Sequence, residues 1–292
     1  MKIEPMQDRL RKVALLGNYP PRKCGIATFT SDLADAILEQ SDDTHVDVIA
    51  MADGKEYAFP PLVALIVDEN DLEGYARAAA WVNDGGYDAL LVQHEYGIFG
   101  GPAGAFLLRM LREVRVPIIT TLHTVLREPT PEQKSVMDEV LALSSEVIVM
   151  SKTAVDILTE VHGRVPTRVS LIPHGIPTIP ENAGARIRQS LTGRCPIILT
   201  FGLLSPDKGI EHVIRAMPRI VAECPEATYL VVGATHPNVV AHHGEIYRES
   251  LEALAAELGV GENVVFVNEF VPLDRLVEYL DAMDYYITPY HN

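Results

Sequence analysis

Short continuous runs of Val, Ile and Leu alternate with longer amphipathic stretches along almost the whole chain. A run that is apolar at every position leaves no side for water, so it reads as a strand covered on both faces of a parallel sheet. On this reading strands lie at 13–17, 46–50, 62–67, 89–94, 118–122, 147–150 and 169–172, then at 197–201, 228–232, 264–267 and 285–288. Helices are predicted between them at 27–40, 72–83, 102–114, 131–143, 152–162, 209–223, 245–258 and 273–282. Parallel neighbours need right-handed crossovers, so the alternating order predicts an α/β chain with two doubly wound, Rossmann-like sheets. The Pro- and Gly-rich stretch 174–193 breaks the rhythm and predicts a linker between a domain at 1–173 and a second at 194–292. The second set of strands ends in the loop Thr288-Pro289-Tyr290-His291-Asn292, so its sheet is expected to be incomplete in this chain.

Composition narrows the partners. Lys and Arg number 24 against 40 Asp and Glu, a net charge of −16. A general nucleic-acid or anionic-membrane surface needs a basic face, and this balance argues against one. A phosphate-bearing small molecule needs only a few local donors. Cys24, Cys195 and Cys224 show no paired spacing, which speaks against structural disulfides or a zinc site and for a reducing, cytoplasmic setting. The charged segment 1–12 lacks the apolar core of a signal peptide. No apolar run approaches the roughly 20 residues a membrane helix needs. Peripheral contact with a membrane and the oligomeric state stay open.

Ligands of open α/β sheets bind beyond the carboxyl ends of the strands, so the loops there are the candidate chemistry. The run 201–210, Phe-Gly-Leu-Leu-Ser-Pro-Asp-Lys-Gly-Ile, passes from a strand into a helix. Such a junction points backbone N–H groups and the positive end of a helix dipole at one spot, and Lys208 beside Gly209 adds a full charge. It suits a phosphate or diphosphate. After the first strand, Gly25 allows close backbone approach, and Arg22 and Lys23 bring charge for a diphosphate or an acceptor. His123 ends a strand on the same edge. His94, Glu95 and Tyr96 end another and are candidate acceptor contacts, by hydroxyl binding and ring stacking. His174 stands at the predicted hinge. Gly233 follows a strand, and the nearby His236, His242 and His243 lack metal-ligand spacing, so no metal is expected.

With these residues laid out, the chain resembles the GT-B glycosyltransferases of the large retaining group 1 family, which use nucleotide-sugar donors. The resemblance is carried by the loop 17–26, by Thr121-Leu122-His123-Thr124, by Ile172-Pro173-His174-Gly175-Ile176 (similar to an "IPNGV" hinge), and by 201–209 with Gly233. The stretch 264–290 also matches the run into the family's donor region. The pattern "GR-x-x-x-x-KG" has Leu203 in place of its Arg and keeps Lys208. The family's acidic motif would fall beyond Asn292.

The resemblance implies two sheets facing across a cleft, with diphosphate binding by Gly25, Lys208, Gly209, Gly233 and His174, and His123 at the donor sugar. It implies transfer of a hexosyl group, mannose or glucose, from a GDP- or UDP-linked donor to a carbohydrate or lipid-linked acceptor, with no cofactor beyond that co-substrate. Two other readings stay open. One is a catalytically impaired protein that binds a nucleotide or sugar; the other is a different GT-B enzyme, such as an epimerase or a phosphorylase.

Overall fold

The computed structural model describes residues 10–290 except 42, 164–167, 177–178 and 192, and only the backbone of 238. The charged N-terminal stretch 1–9 and the last two residues of the terminal loop lie outside the described residues. The chain divides into two compact units, Met1–Gly175 and Ile176–Asn292.

Unit 1 carries strands β1 (Lys12–Gly17), β2 (His45–Ala52), β3 (Val63–Asp68), β4 (Ala89–His94), β5 (Ile118–Leu122), β6 (Glu146–Val149) and β7 (Val169–Leu171). Its helices are α1 (Gly25–Gln40), α2 (Leu72–Asp84), α3 (Leu107–Leu111), α4 (Pro131–Leu143) and α5 (Lys152–His162). The strands pair in the order β3-β2-β1-β4-β5-β6-β7, all parallel. Alternation along β1 shows why its residues are all apolar. Ala14 and Leu16 pack into the layer that holds α2 and α3, while Val13 and Leu15 pack with Ala34 of α1. Covering both faces of a strand removes every side chain from water, which is the strongest apolar driving force a sheet can collect.

Unit 2 carries α6 (Ala185–Ser190), β8 (Ile197–Phe201), α7 (Ile210–Glu223), β9 (Thr228–Val232), α8 (Pro237–His243), α9 (Ile246–Glu257), β10 (Val264–Val267), α10 (Leu273–Ala282) and β11 (Tyr285–Tyr286). Its sheet order is β10-β9-β8-β11, again parallel. Ile198, Tyr229 and Val231 face α7 and α9, and Ile197, Leu199, Leu230 and Val232 face α6 and α10.

Three expectations need correction. The predicted linker 174–193 contains α6, which packs on α10: the Gly184 amide donates to Asp281 (2.8 Å) and Arg188 to Asp284 (3.0 Å). A six-residue helix is too short to show a period, so its Pro and Gly neighbours dominated the reading. The helix predicted over 102–114 is broken into a 3-10 turn, Pro102–Gly104, and α3, because Ala103 adopts φ 52°, outside helical geometry. The stretch 237–243, where no helix is predicted, is α8. Among the described residues no helix is long and apolar enough to cross a membrane.

Candidate active site

In unit 1 the chain runs from β1 outward through β2 and β3, then returns to β4 on the other side of β1. The crevice at such a reversal, beyond the carboxyl ends of β1 and β4, is the ligand position of open α/β sheets. The loop after β1 leads into α1, where Cys24 is the cap. Its Sγ accepts from the Ala27 amide (3.4 Å) and from Asn18 Nδ2 (3.2 Å). Gly25 opens the helix and is exposed, and an added Cβ there would meet nothing within 4 Å. Unit 1 therefore has no steric need for this glycine, which as a helix residue is less favourable than alanine. A bare backbone at a helix N-terminus fits close approach by an anionic ligand.

Arg22 is turned the other way. Its guanidinium donates to Asn18 Oδ1 (3.1 Å), to the Met51 carbonyl (3.4 Å) and to Glu69 Oε2 (3.3 Å), bracing the loop against β2 and the end of β3. Both terminal nitrogens of the guanidinium are thus engaged inside unit 1. Lys23 is exposed on the same loop.

His123 stands one residue past β5, half-buried, and its amide donates to the His94 carbonyl (3.0 Å). Nε2 lies 2.9 Å from Gln93 Oε1, and the ring meets the Phe29 ring edge-to-face at 4.7 Å. Burial, then the charge of His174, pushes His123 down to about 4, so the imidazole is neutral near pH 7. Phe29 also meets the exposed His174 ring edge-to-face at 5.1 Å, and His174 Nδ1–H donates to the Gly175 carbonyl (2.8 Å). A cavity of about 350 Å³ opens beside His123, lined by Thr124, Met150, Ser151 and Thr153 at the ends of β5 and β6.

The neighbours at the end of β4 divide by parity. His94 shares a face with Leu90 and Val92 and is 1% exposed, with Tyr96 at 5.2 Å and Phe99 at 6.2 Å around its ring. Tyr96 is buried among Leu122, Met137 and Leu158. Neither presents a surface to an acceptor, contrary to the sequence reading. Glu95 is half-buried and ties two strand ends together. Its carboxylate accepts from the Tyr96 amide (2.9 Å) and from the Thr124 hydroxyl.

Unit 2 repeats the reversal on a smaller scale, between β8 and β11. After β8 the chain forms a 3-10 turn, Pro206–Lys208, and enters α7 through Gly209 at φ 59°. An added Cβ at Gly209 would overlap the Pro289 carbonyl oxygen, and one at Gly233, at φ 143°, would overlap that of Gly202. No N-cap side chain bonds the first turn of α7; there the His212 amide donates to the Gly209 carbonyl (3.0 Å) and the Ile210 amide donates to the Tyr247 hydroxyl, while the positive end of the helix dipole faces this edge. Half-buried Lys208 holds its Nζ 4.0 Å over the centre of the Tyr290 ring, close to the bare backbone of Gly202. Lys208 is the only basic residue in the 202–209 loop, Leu203 being apolar. Positive charge, helix dipole and close backbone thus share one edge of unit 2. Among the described residues no group of three or more His, Cys, Asp or Glu could hold a metal ion.

Sequence reasoning passed over Gln93, Phe29, Asn18 and Tyr290. Gln93 carried a signal: a glutamine inside the apolar run 89–94 has to find a partner once buried. Phe29 and Tyr290 carried none, since their neighbours come from distant parts of the chain.

Comparison with known proteins bears on the family and the fold. The profile of Glycosyltransferase Family 4 matches residues 24–179, and that of Glycosyl transferases group 1 matches residues 185–292. A D-inositol 3-phosphate glycosyltransferase of Acidothermus cellulolyticus is 28% identical over 233 residues, 74% of this chain and 50% of that protein. A GDP-mannose-dependent alpha-(1-6)-phosphatidylinositol monomannoside mannosyltransferase of Mycolicibacterium smegmatis is 30% identical over 123 residues, 40% of this chain and 29% of that one. The chain spans about half the length of the first of these curated relatives. In fold it is similar to a glycosyltransferase of Rickettsia africae, with TM-score 0.68 and 14% identity over 95% of this chain and 73% of the other. A match of both profiles in order, over two parallel α/β units, leaves one conclusion: the chain belongs to the group 1 glycosyltransferases of the GT-B fold.

Proposed function

We propose that this transferase moves a hexosyl group, mannose or glucose, from a GDP- or UDP-linked sugar to a hydroxyl of a phosphorylated polyol or lipid-linked acceptor, with retention at the anomeric carbon. The observation that carries the reading is the Lys208 ammonium on the Gly-lined edge of unit 2, beside the N-terminus of α7. In the reaction the bond between the anomeric carbon and the diphosphate oxygen breaks, and a bond from that carbon to the acceptor oxygen forms. The acceptor proton passes to the departing diphosphate. Negative charge grows on that group as the bond breaks, and a fixed cation with oriented amides stabilises it there without reorganising. On unit 1, Gly25 leaves α1 amides approachable, and neutral His123 can exchange a hydrogen bond with a sugar hydroxyl. The acceptor class is supported by the names of the relatives, an inositol phosphate in one and a phosphatidylinositol mannoside in the other.

Titration calorimetry with GDP and UDP tests the reading. One of the two should bind, and Lys208→Ala should weaken it roughly tenfold or more, since a charged hydrogen bond is worth about 1.5–3 kcal/mol. Equal affinity in the variant refutes the assignment of Lys208.

A further inference from the structure

Gln93 is wholly buried at the end of β4, on the same face as Leu91 and under α1. Its surroundings confine it. A Cβ added at Gly17 would stand 3.1 Å from the Gln93 Cβ and 3.0 Å from Thr30 Oγ1, so β1 and α1 wall in this side chain. Thr30 gives its own hydroxyl proton to the Ile26 carbonyl (2.7 Å). Among the described residues the Gln93 amide nitrogen has no hydrogen-bond partner, although it is buried. A buried donor without a partner costs stability, and methionine would fill much the same space without that penalty. Among the described residues the side chain's one hydrogen bond is accepted by its Oε1 from His123 Nε2, at 2.9 Å.

An amide oxygen can only accept, so the proton of the neutral imidazole sits on Nε2. Nδ1 is then left with its lone pair. Phe29 holds the ring plane from another side, edge-to-face at 4.7 Å. We propose that Gln93 is a positioning residue for His123: its amide oxygen locks the imidazole in the Nε2–H tautomer and leaves Nδ1 to accept a hydrogen bond from a substrate hydroxyl. Only the identity of that hydroxyl, on a sugar, rests on the glycosyl-transfer reading. The arrangement explains why a polar residue interrupts an otherwise apolar strand. It also gives His123 a single chemical role, that of acceptor rather than proton donor.

The test is nitrogen-15 NMR of histidine-labelled protein. The wild type should show His123 as a neutral ring protonated at Nε2. In Gln93→Met the ring should become a mixture of tautomers. Gln93→Glu, whose carboxylate also accepts from Nε2, should restore the single tautomer and raise the His123 pKa above its value of about 4. In a sugar-transfer assay Gln93→Met should lower kcat by roughly tenfold, as loss of an orienting partner usually does, with KM little changed and partial recovery in Gln93→Glu. An Nδ1–H ring in the wild type, or an unchanged tautomer in Gln93→Met, overturns the proposal. A tautomer that responds to Gln93 in a protein that transfers no sugar leaves the positioning role standing and removes the glycosyl-transfer reading.

Discussion

Two glycines on candidate binding edges should respond oppositely to alanine, and the structure sets the size of the difference. Gly233 lies at φ 143°, where a residue with a side chain is strained by about 1–3 kcal/mol. Its new Cβ would also overlap the backbone oxygen of Gly202, which no rotamer change can relieve. Forcing the two strand-end loops apart adds roughly 1–3 kcal/mol, as overpacking does. Gly233→Ala should therefore cost about 2–6 kcal/mol, a large part of the roughly 5–15 kcal/mol that holds a domain together. In calorimetry the transition of unit 2 should fall by roughly 10 °C or more. Gly25 has no such constraint. Its Cβ would enter open space, and alanine is the better helix former by up to about 1 kcal/mol. Gly25→Ala should leave the melting of unit 1 unchanged or slightly raised, while weakening the nucleotide-sugar complex by occupying space meant for ligand. Melting of Gly233→Ala within about 2 °C of wild type refutes the overlap argument. A destabilised Gly25→Ala refutes the idea that this glycine serves a ligand rather than the fold.

Two further outcomes follow from unit 1. Burial, then the charge of His123, holds His94 down at about 4, and His123 is held at about 4 by burial and His174. Both gain protons on unfolding, so their contribution is complete above about pH 6.5 and is lost as the pH falls toward 4. Between pH 7 and 5.5 the loss should be roughly 1 kcal/mol each, read as falling stability in urea titrations, and His94→Leu should flatten the slope by about one proton. If Arg22 braces unit 1 through Glu69, Arg22→Ala should lower stability by about 1–2 kcal/mol and leave nucleotide affinity unchanged. Lost affinity at wild-type stability would return Arg22 to a ligand role.

The strands were legible because burial on both faces writes itself into composition. The runs at 89–94, 118–122, 197–201, 228–232 and 264–267 coincide with β4, β5, β8, β9 and β10. The loops beyond them were legible as candidate chemistry because a strand-loop-helix edge with Gly and Lys has a short list of uses. What failed was parity and local geometry. His94 and Gln93 are adjacent, yet one points into the layer of α2 and α3 and the other toward α1 and His123, and nothing in the pair of letters says which face meets a ligand. Tyr96 looked like a stacking surface and is core. The helix over 102–114 broke at Ala103 although its residues allow a helix.

From its sequence alone the chain is a two-part parallel α/β protein with a phosphate-suited loop around Lys208, because period, burial and turn chemistry act over a few neighbouring residues. Only the tertiary structure decided the strand orders, which place the β1 and β4 ends together in unit 1 and the β8 and β11 ends together in unit 2. It also decided which groups are spent inside the protein, as Arg22 is on Glu69 and Glu95 on Thr124, and which lack a partner among the described residues, as the buried Gln93 amide nitrogen does. Those facts depend on partners scores of residues away, and no local pattern encodes who the partner is.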